Sequence, residues 1–147
     1  VNKSNQNNVP MGAYKNPNIC DEKVVLSSSR ALQNVNILNL SYKEVVKYAN
    51  KNDLVYFDPP YYPLTKTSNF TSYSEFDFLE KEQNELYNVF QELSLRKCQV
   101  LHSNSYTDFI KDLYKDYKIQ EIQANRFINS KSNDRGKILE LLIKNRG

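Results

Sequence analysis

A chain of 147 residues, of which 39% are hydrophobic and 25% charged, has the composition of an ordinary globular domain. This composition argues against an intrinsically disordered protein, and no apolar stretch has the length of a membrane span. The net charge of +3 permits a polyanionic partner without requiring one. The two cysteines, Cys20 and Cys98, have neither metal-site nor redox spacing, so we expect no metal site and a cytoplasmic protein.

The first third of the chain is predicted to hold a loop, a helix, a strand and a second helix. Residues 1–22 are rich in Asn with interspersed Pro and Gly, which favours a loop or the returning half of a hairpin. A short helix is predicted over residues 23–32. The alternation over residues 35–38 is typical of a strand, and a serine cap predicts a helix over residues 41–48.

The middle of the chain predicts a buried strand followed by a long helix. Residues 54–57 form a continuous apolar run, which suits a strand buried on both faces. Residues 61–73 are polar and aromatic and favour a loop. A helix is predicted to begin near Ser74, and its buried stripe is expected to consist of Leu79, Leu86, Phe90 and Leu93.

The last third predicts three further strands and one helix. Strands are expected over residues 99–102, 118–123 and 137–144, and a helix over residues 107–114. The alternation of strands and helices predicts an α/β fold. Because only a loop separates the last two strands, the sheet should be mixed, with an antiparallel final strand.

Charge is unevenly distributed along the chain. Basic residues predominate over residues 126–147, whereas acidic residues predominate over residues 75–92. One interpretation is a basic face for a phosphate backbone and an acidic helix facing solvent. Two ordinary solvated surfaces are an equally good interpretation of the charge alone.

The strongest motif is Asp58-Pro59-Pro60-Tyr61, which directly follows the apolar run. Ligands of open α/β sheets bind beyond the carboxyl ends of the strands, so the Asp58 carboxylate should project into such a crevice. Two consecutive prolines restrict the backbone and remove two donors. The loop would then present the Asp58 carboxylate and the Pro59 carbonyl as acceptors, followed by the aromatic ring of Tyr61. The alternative is a simple turn in which Asp58 caps and Tyr61 packs.

Two acceptors beside an aromatic ring suit an exocyclic amino group on a flat base. The N6 nitrogen of adenine is a poor nucleophile, because its lone pair is delocalised into the purine. Acceptors for its two hydrogens would orient the amine, and Tyr61 would stack on a base that has left the duplex. Methyl transfer then depends mainly on in-line positioning.

The segment Val55–Tyr61 resembles the catalytic motif of the Dam-type adenine-N6 DNA methyltransferases. Four further segments are similar to that family: the end of its target-recognition hairpin at residues 8–15, its aromatic loop at residues 69–73, a strand at residues 100–104, and its basic loop with the closing strand at residues 126–142. The resemblance implies a partial Rossmann-like methyltransferase fold, with residues 1–22 as a remnant of the recognition hairpin and residues 23–147 as the C-terminal part of the catalytic domain.

The resemblance also implies an activity and its site. The reaction would be methyl transfer from S-adenosylmethionine to N6 of a flipped adenine in double-stranded DNA, at a sequence such as GATC. Asp58, Pro59, Pro60 and Tyr61 would be catalytic, and Asp58 and Tyr42 would contact the cofactor. Core packing of Tyr42 is an equal alternative. The DNA-binding residues would be Asn8, Pro10, Tyr14, Lys15, Phe70, Tyr73, Arg126, Lys131 and Arg135.

Two departures from the family pattern affect these expectations. Ser4 and Ala13 occupy positions where the family usually has arginines that would contact guanine edges or phosphates, so the recognition sequence is open. The chain also contains no Phe-x-Gly-x-Gly string, which in the family holds the cofactor, and it has only 3 glycines. On its own, this polypeptide is therefore expected to bind the cofactor weakly and to be inactive or nearly so.

Several alternatives remain open from the sequence. A related enzyme could act on an amine in RNA or protein, or a degenerate methyltransferase could only bind DNA. The full protein could work alone or beside a restriction endonuclease. His102 is expected to be an interior histidine without a catalytic role. Asn104 could face the crevice, although capping of the next helix is the more ordinary role.

Overall fold

The computed structural model describes residues 19–64, 78–125 and 137–145. The chain divides into two compact units, Val1–Ser41 and Tyr42–Gly147. The predicted boundary at residue 22 is a different division and stays a prediction.

The described part of the first unit contains one helix. Helix α1 (Glu22–Ala31) lies where a helix is predicted, and the Asp21 carboxylate caps it by accepting from the Val24 amide at 3.1 Å. A 3-10 turn follows at Leu32–Asn34. The predicted strand over residues 35–38 is wrong, because these residues form no regular element. An alternating pattern becomes a strand only where its backbone finds a partner.

The second unit is built on a four-stranded mixed sheet. Its strands are β1 (Leu54–Phe57), β2 (Gln99–Ser105), β3 (Lys118–Asn125) and β4 (Lys137–Lys144), in the spatial order β1-β2-β4-β3. Strands β1 and β2 are parallel, and both pairs that involve β4 are antiparallel. The predicted α/β class with an antiparallel final strand is confirmed. Strand β4 is interior, as its apolar sequence indicates.

Strand β1 is buried on one face only, which corrects the expectation of burial on both. Val55 and Phe57 lie in the core, whereas Leu54 and Tyr56 are 63% and 57% exposed. Side chains of a strand alternate between faces, and only the Val55 face contributes to the described core. A continuous apolar run therefore does not by itself show that both faces are covered.

Helix α2 (Glu80–Leu95) connects β1 to β2 and starts later than predicted. The Leu79 amide donates to the Glu82 carboxylate at 3.0 Å, so one half of a capping box sets the first turn. Leu79 is consequently an exposed cap residue and not part of the buried stripe. The other predicted members of the stripe are confirmed, and Gln83 and Val89 join them.

The core lies between α2 and the adjacent face of the sheet. It is closed at the side by the short helix α3 (Asp108–Leu113), which lies within the predicted range and is capped by Thr107. A 3-10 helix at Tyr42–Lys47 replaces the predicted α-helix over residues 41–48. The buried hydrophobic residues are Val55, Phe57, Leu86, Val89, Phe90, Leu93, Cys98, Val100, Ile110, Tyr114, Leu141 and Ile143.

Candidate active site

The parallel pairing of β1 and β2 places the ends of both strands side by side. Phe57 is the register partner of His102, so Asp58, one residue beyond β1, lies next to Ser103 on β2. Because parallel strands share the same carboxyl edge, the Asp58 loop (residues 58–62) is at the edge where ligands of α/β sheets bind. This is the location that the sequence predicts for the motif.

The Asp58 carboxylate is oriented by one hydroxyl and stays exposed. The Ser103 hydroxyl donates to Asp58 Oδ1 at 3.0 Å, and the Tyr56 hydroxyl in turn donates to Ser103 Oγ at 3.0 Å. Ser103 also lies 3.4 Å from the Phe57 carbonyl, but its single proton favours the charged and closer acceptor. Within the described residues no backbone N–H donates to Asp58. The carboxylate is therefore oriented by a side chain and receives no hydrogen bond from the described backbone.

The Pro59 carbonyl is the second predicted acceptor. Among the described residues it accepts no hydrogen bond, whereas the Pro60 and Tyr62 carbonyls each accept one from a side chain. Pro59 and Pro60 themselves have no N–H to offer, as the sequence implies. A carboxylate oxygen and a carbonyl oxygen on adjacent residues are thus both available to an incoming donor.

The loop is held at Pro60 and Tyr62 by hydrogen bonds with side chains of α2 and β2. The Gln83 side chain donates to the Pro60 carbonyl at 3.2 Å. The Tyr62 amide donates to Asn104 Oδ1 at 2.9 Å, and the Tyr62 carbonyl accepts from the Ser105 hydroxyl at 2.6 Å. Three side chains from α2 and β2 therefore fix the backbone on either side of Tyr61.

Tyr61 is half-buried, and its hydroxyl donates to Glu140 on β4 at 3.2 Å. Burial raises the pKa of Tyr61 to about 12, and the nearby carboxylates of Glu140 and Asp58 add to the shift. The phenol is therefore neutral and a donor at physiological pH. No described aromatic ring packs against Tyr61, whereas Tyr62 lies against Phe109 with ring centroids 4.6 Å apart. The predicted stacking of Tyr61 on a base stays a prediction.

Tyr42 begins the 3-10 helix and packs against the core. Its ring meets Phe78 edge-on with centroids 5.8 Å apart, and burial raises the pKa of its hydroxyl. This is the packing that the alternative interpretation predicts. A cofactor contact of Tyr42 stays a prediction.

The proposed DNA-contacting residues all lie outside the described residues. They are Asn8, Pro10, Tyr14, Lys15, Phe70, Tyr73, Arg126, Lys131 and Arg135. Within the described ranges, no group of three or more metal-ligating side chains is present, and no helix there is long and apolar enough to cross a bilayer.

Sequence reasoning missed the residues that support the loop from other elements. Ser103 and Glu140 approach it from β2 and β4, and Gln83 from α2. One signal was available for Gln83: a polar residue at a position where helical spacing from Leu86 and Phe90 demands burial. His102 is confirmed as interior, and Asn104 faces the loop instead of capping α3, because Thr107 takes that role.

Comparison with protein families gives a match over most of the chain. The family model described as D12 class N6 adenine-specific DNA methyltransferase matches residues 1–128.

Individual relatives agree with that match. Type II methyltransferase M1.LlaDCHI of Lactococcus lactis subsp. cremoris is 43% identical over 149 residues, which is 100% of this chain and 52% of that protein. Type II methyltransferase M.MjaIII of Methanocaldococcus jannaschii is 44% identical over 147 residues, covering 99% of this chain and 51% of that protein. The DNA adenine methylase of Vibrio cholerae is 34% identical over 142 residues, covering 96% of this chain and 51% of that protein. The chain thus spans about half the length of these curated relatives.

Proposed function

The chain belongs to the D12 class of N6 adenine-specific DNA methyltransferases, and we propose that its Asp58 loop holds the amino group of a flipped adenine while a methyl group is transferred to N6. The substrate is double-stranded DNA, and the methyl donor is S-adenosylmethionine. The family acts on DNA, which favours this substrate over the RNA and protein amines that the motif alone would allow.

One observation carries the proposal. Asp58 and Pro59 present two neighbouring acceptors at the ligand-binding edge of the sheet, and neither receives a backbone donor from the described residues. An exocyclic amine has two hydrogens to donate, so it matches this pair. A turn with only a structural role would instead use the Asp58 carboxylate to satisfy its own backbone N–H groups.

The chain's own groups orient the nucleophile. Asp58 and the Pro59 carbonyl accept the two N6 hydrogens, which directs the nitrogen lone pair out of the base plane. Tyr61 stacks on the purine, while its hydroxyl bond to Glu140 keeps the ring in place. The Asp58 carboxylate is also able to accept the proton that N6 loses, although water could serve equally well.

We assign the cofactor a contact with the Asp58 carboxylate. S-adenosylmethionine supplies the methyl group on a positively charged sulfonium, and the exposed Asp58 carboxylate suits a cationic ligand. Tyr42 is the second residue that we assign to this ligand. The Gly-rich string that the family uses is not in these 147 residues, so the chain alone is expected to be inactive and the reaction is proposed for the full-length protein.

DNA recognition is assigned to segments outside the described residues. Residues 8–15 contact base edges, Phe70 and Tyr73 contact the flipped base, and Arg126, Lys131 and Arg135 contact phosphates. GATC is the target that the resemblance implies. Ser4 and Ala13 stand where the family usually has arginines that contact guanine edges or phosphates, so the recognition sequence is left to the experiment. The relatives named Type II methyltransferases favour a role in restriction-modification, and we place the enzyme in the cytoplasm with a restriction endonuclease as its counterpart.

Methylation of a random-sequence duplex library by the full-length protein tests the proposal. Mapping of the modified positions should find N6-methyladenine at one short sequence. Asp58→Asn removes the negative charge and leaves one oxygen acceptor beside an NH2 group. Because the Ser103 hydroxyl donates to one oxygen of this side chain, the remaining position would present N–H donors to the amine, and the transfer rate should fall on the order of 10²-fold. The matched control is Asp116→Asn, an exposed aspartate on the loop after α3, which should leave the rate unchanged.

Two results would contradict this assignment. Specific DNA binding without methyl transfer by the wild-type protein would support the alternative of a degenerate enzyme that only binds DNA. Unchanged transfer by Asp58→Asn would show that neither the negative charge nor the second oxygen of Asp58 has a part in the reaction.

A further inference from the structure

A set of completely buried polar side chains lies behind the Asp58 loop. Gln83, His102 and Asn104 are each 0% exposed, although they come from α2 and β2 and lie within an otherwise apolar core. Burial of polar groups is costly unless each finds a partner, so their arrangement must provide compensating hydrogen bonds.

The Asn104 amide group uses all of its hydrogen-bonding capacity. Its oxygen accepts from the Tyr62 amide at 2.9 Å and from the Ser105 amide at 2.8 Å. Its nitrogen donates to Gln83 Oε1 at 3.0 Å and to His102 Nε2 at 3.2 Å. With two acceptances and two donations, the orientation of the amide is determined, and His102 Nε2 must be the unprotonated ring nitrogen.

Gln83 extends the same chain of bonds to the loop. Because its oxygen accepts from Asn104, its nitrogen is directed at the Pro60 carbonyl, to which it donates at 3.2 Å. The loop backbone is thereby attached to the core at Pro60 and again at Tyr62. Tyr61 lies between these two attachment points, and Pro59 directly precedes the first of them.

We propose that Gln83 and Asn104 are positioning residues for methyl transfer, which hold the loop so that the Pro59 carbonyl and the Asp58 carboxylate keep the spacing that an adenine amine requires. This inference rests on the proposed function of the loop. Neither side chain touches the substrate. The amide groups of Gln83 and Asn104 are both partnered, whereas the buried His102 Nδ1 finds no hydrogen-bond partner among the described residues. The paired amides hold the loop backbone at two points, and a displacement of the acceptors by about 1 Å is enough to lower a rate on the order of 10²-fold.

The test compares two substitutions on the same helix in the full-length protein. Gln83→Met keeps the length of the side chain but removes the bonds to Pro60 and Asn104. Gln91→Met is the matched control, because Gln91 lies two turns later and donates to the Tyr87 hydroxyl at 2.9 Å, away from the loop. Steady-state methylation kinetics and amide hydrogen exchange at Tyr62 are measured for both, together with Tm.

We expect Gln83→Met to lower kcat by about 10- to 100-fold with KM for DNA nearly unchanged, and to speed exchange of the Tyr62 amide. Gln91→Met should lower Tm at most and leave kcat as in the wild type. A kcat of Gln83→Met equal to that of Gln91→Met, in an active wild-type background, would overturn the positioning role while leaving the proposed function intact. An inactive wild-type protein would instead contradict the proposed function itself.

A milder variant keeps the test decisive if Gln83→Met does not fold. Ser105→Ala removes the 2.6 Å bond from the hydroxyl to the Tyr62 carbonyl and its longer, 3.5 Å approach to Asn104 Oδ1. The same inference predicts a lower kcat without a rise in KM for this variant. A wild-type kcat for a folded Ser105→Ala protein, with exchange at Tyr62 unaltered, would count against it.

Discussion

One serine hydroxyl decides how the key carboxylate of this protein is presented. Ser103 donates to Asp58 and accepts from Tyr56, so the carboxylate is oriented from a neighbouring strand and its second oxygen receives no hydrogen bond from the described residues. Hydrogen bonds to a charged group are stronger than those between neutral groups. A single small side chain therefore gives direction to a group that is otherwise exposed.

The buried histidine should make folding sensitive to mild acid. Burial lowers the pKa of His102 to about 4, against about 6.5 in the unfolded chain. Between these values the unfolded state binds a proton that the folded state does not. Stability should therefore fall as pH decreases from about 6.5 to about 4, by about 3 kcal/mol in total, and be insensitive to this group above that range.

Urea denaturation of the full-length protein at several pH values checks this expectation. His102→Gln removes the titrating group. The free energy of unfolding of the wild type minus that of the variant should therefore decrease as the pH is lowered from 7 to 4. Parallel stability curves over that interval would show that His102 is not the group responsible.

At the scale of elements, helix α2 ends in a turn where a lysine adopts a backbone conformation that is unfavourable for it. Lys97 has a positive φ of 65°, and its amide and that of Cys98 donate to the Ser94 and Leu93 carbonyls, which is the Schellman arrangement. The Lys97 carbonyl then accepts from the Asn52 amide at 3.1 Å, linking this turn to the one before β1. This position requires a left-handed backbone conformation, which glycine adopts more easily than the lysine that occupies it.

Lys97→Gly should therefore stabilise the protein. Glycine adopts positive φ without the steric cost of a Cβ atom, and the gain should be about 0.5–1 kcal/mol after the larger entropy of the unfolded chain is allowed for. Asn52→Gly is the natural comparison, since Asn52 has a φ of 72° but asparagine tolerates this region better. Chemical denaturation should show a clearly smaller gain for Asn52→Gly, and no gain for Lys97→Gly would contradict the argument.

At the scale of the whole molecule, sheet order assembles the site from distant parts of the chain. Asp58 and Ser103 are 45 residues apart, and Tyr61 and Glu140 are 79 residues apart. Strand β4 makes the second contact possible because it inserts between β2 and β3 instead of extending the edge. The contact between the loop and Glu140 thus depends on the correct pairing of β4, the last strand in the sequence, with β2.

DNA binding by the full-length protein should depend steeply on salt. If Arg135 contacts a phosphate, Arg135→Ala should reduce the slope of log K against log salt by about 0.9 and weaken binding to all sequences alike. Lys115→Ala, an exposed lysine to which no contact is assigned, is the control and should leave the slope unchanged. An identical slope for both variants would remove Arg135 from the DNA-binding surface.

The elements that sequence predicts well are those with a strong local signal. Strand β4 and helix α3 lie where the residue pattern predicts them, and the position of Asp58 after β1 follows from the apolar run before it. The strand over residues 35–38 and the start of α2 were wrong. In both cases the outcome depended on a partner, either a neighbouring strand or a cap at Glu82, and not on the residues' own pattern.

By itself the sequence determined the mixed α/β class, because this follows from short-range periodicity, and the family, because its motifs are preserved as strings of residues. It also placed Asp58 and Pro59, the two acceptors that we propose for an amine, directly after a strand. Only the tertiary structure decided which side chains hold those acceptors. Ser103, Gln83 and Asn104 acquire their roles through strand pairing and helix packing, and such long-range contacts leave almost no local signature in the order of residues.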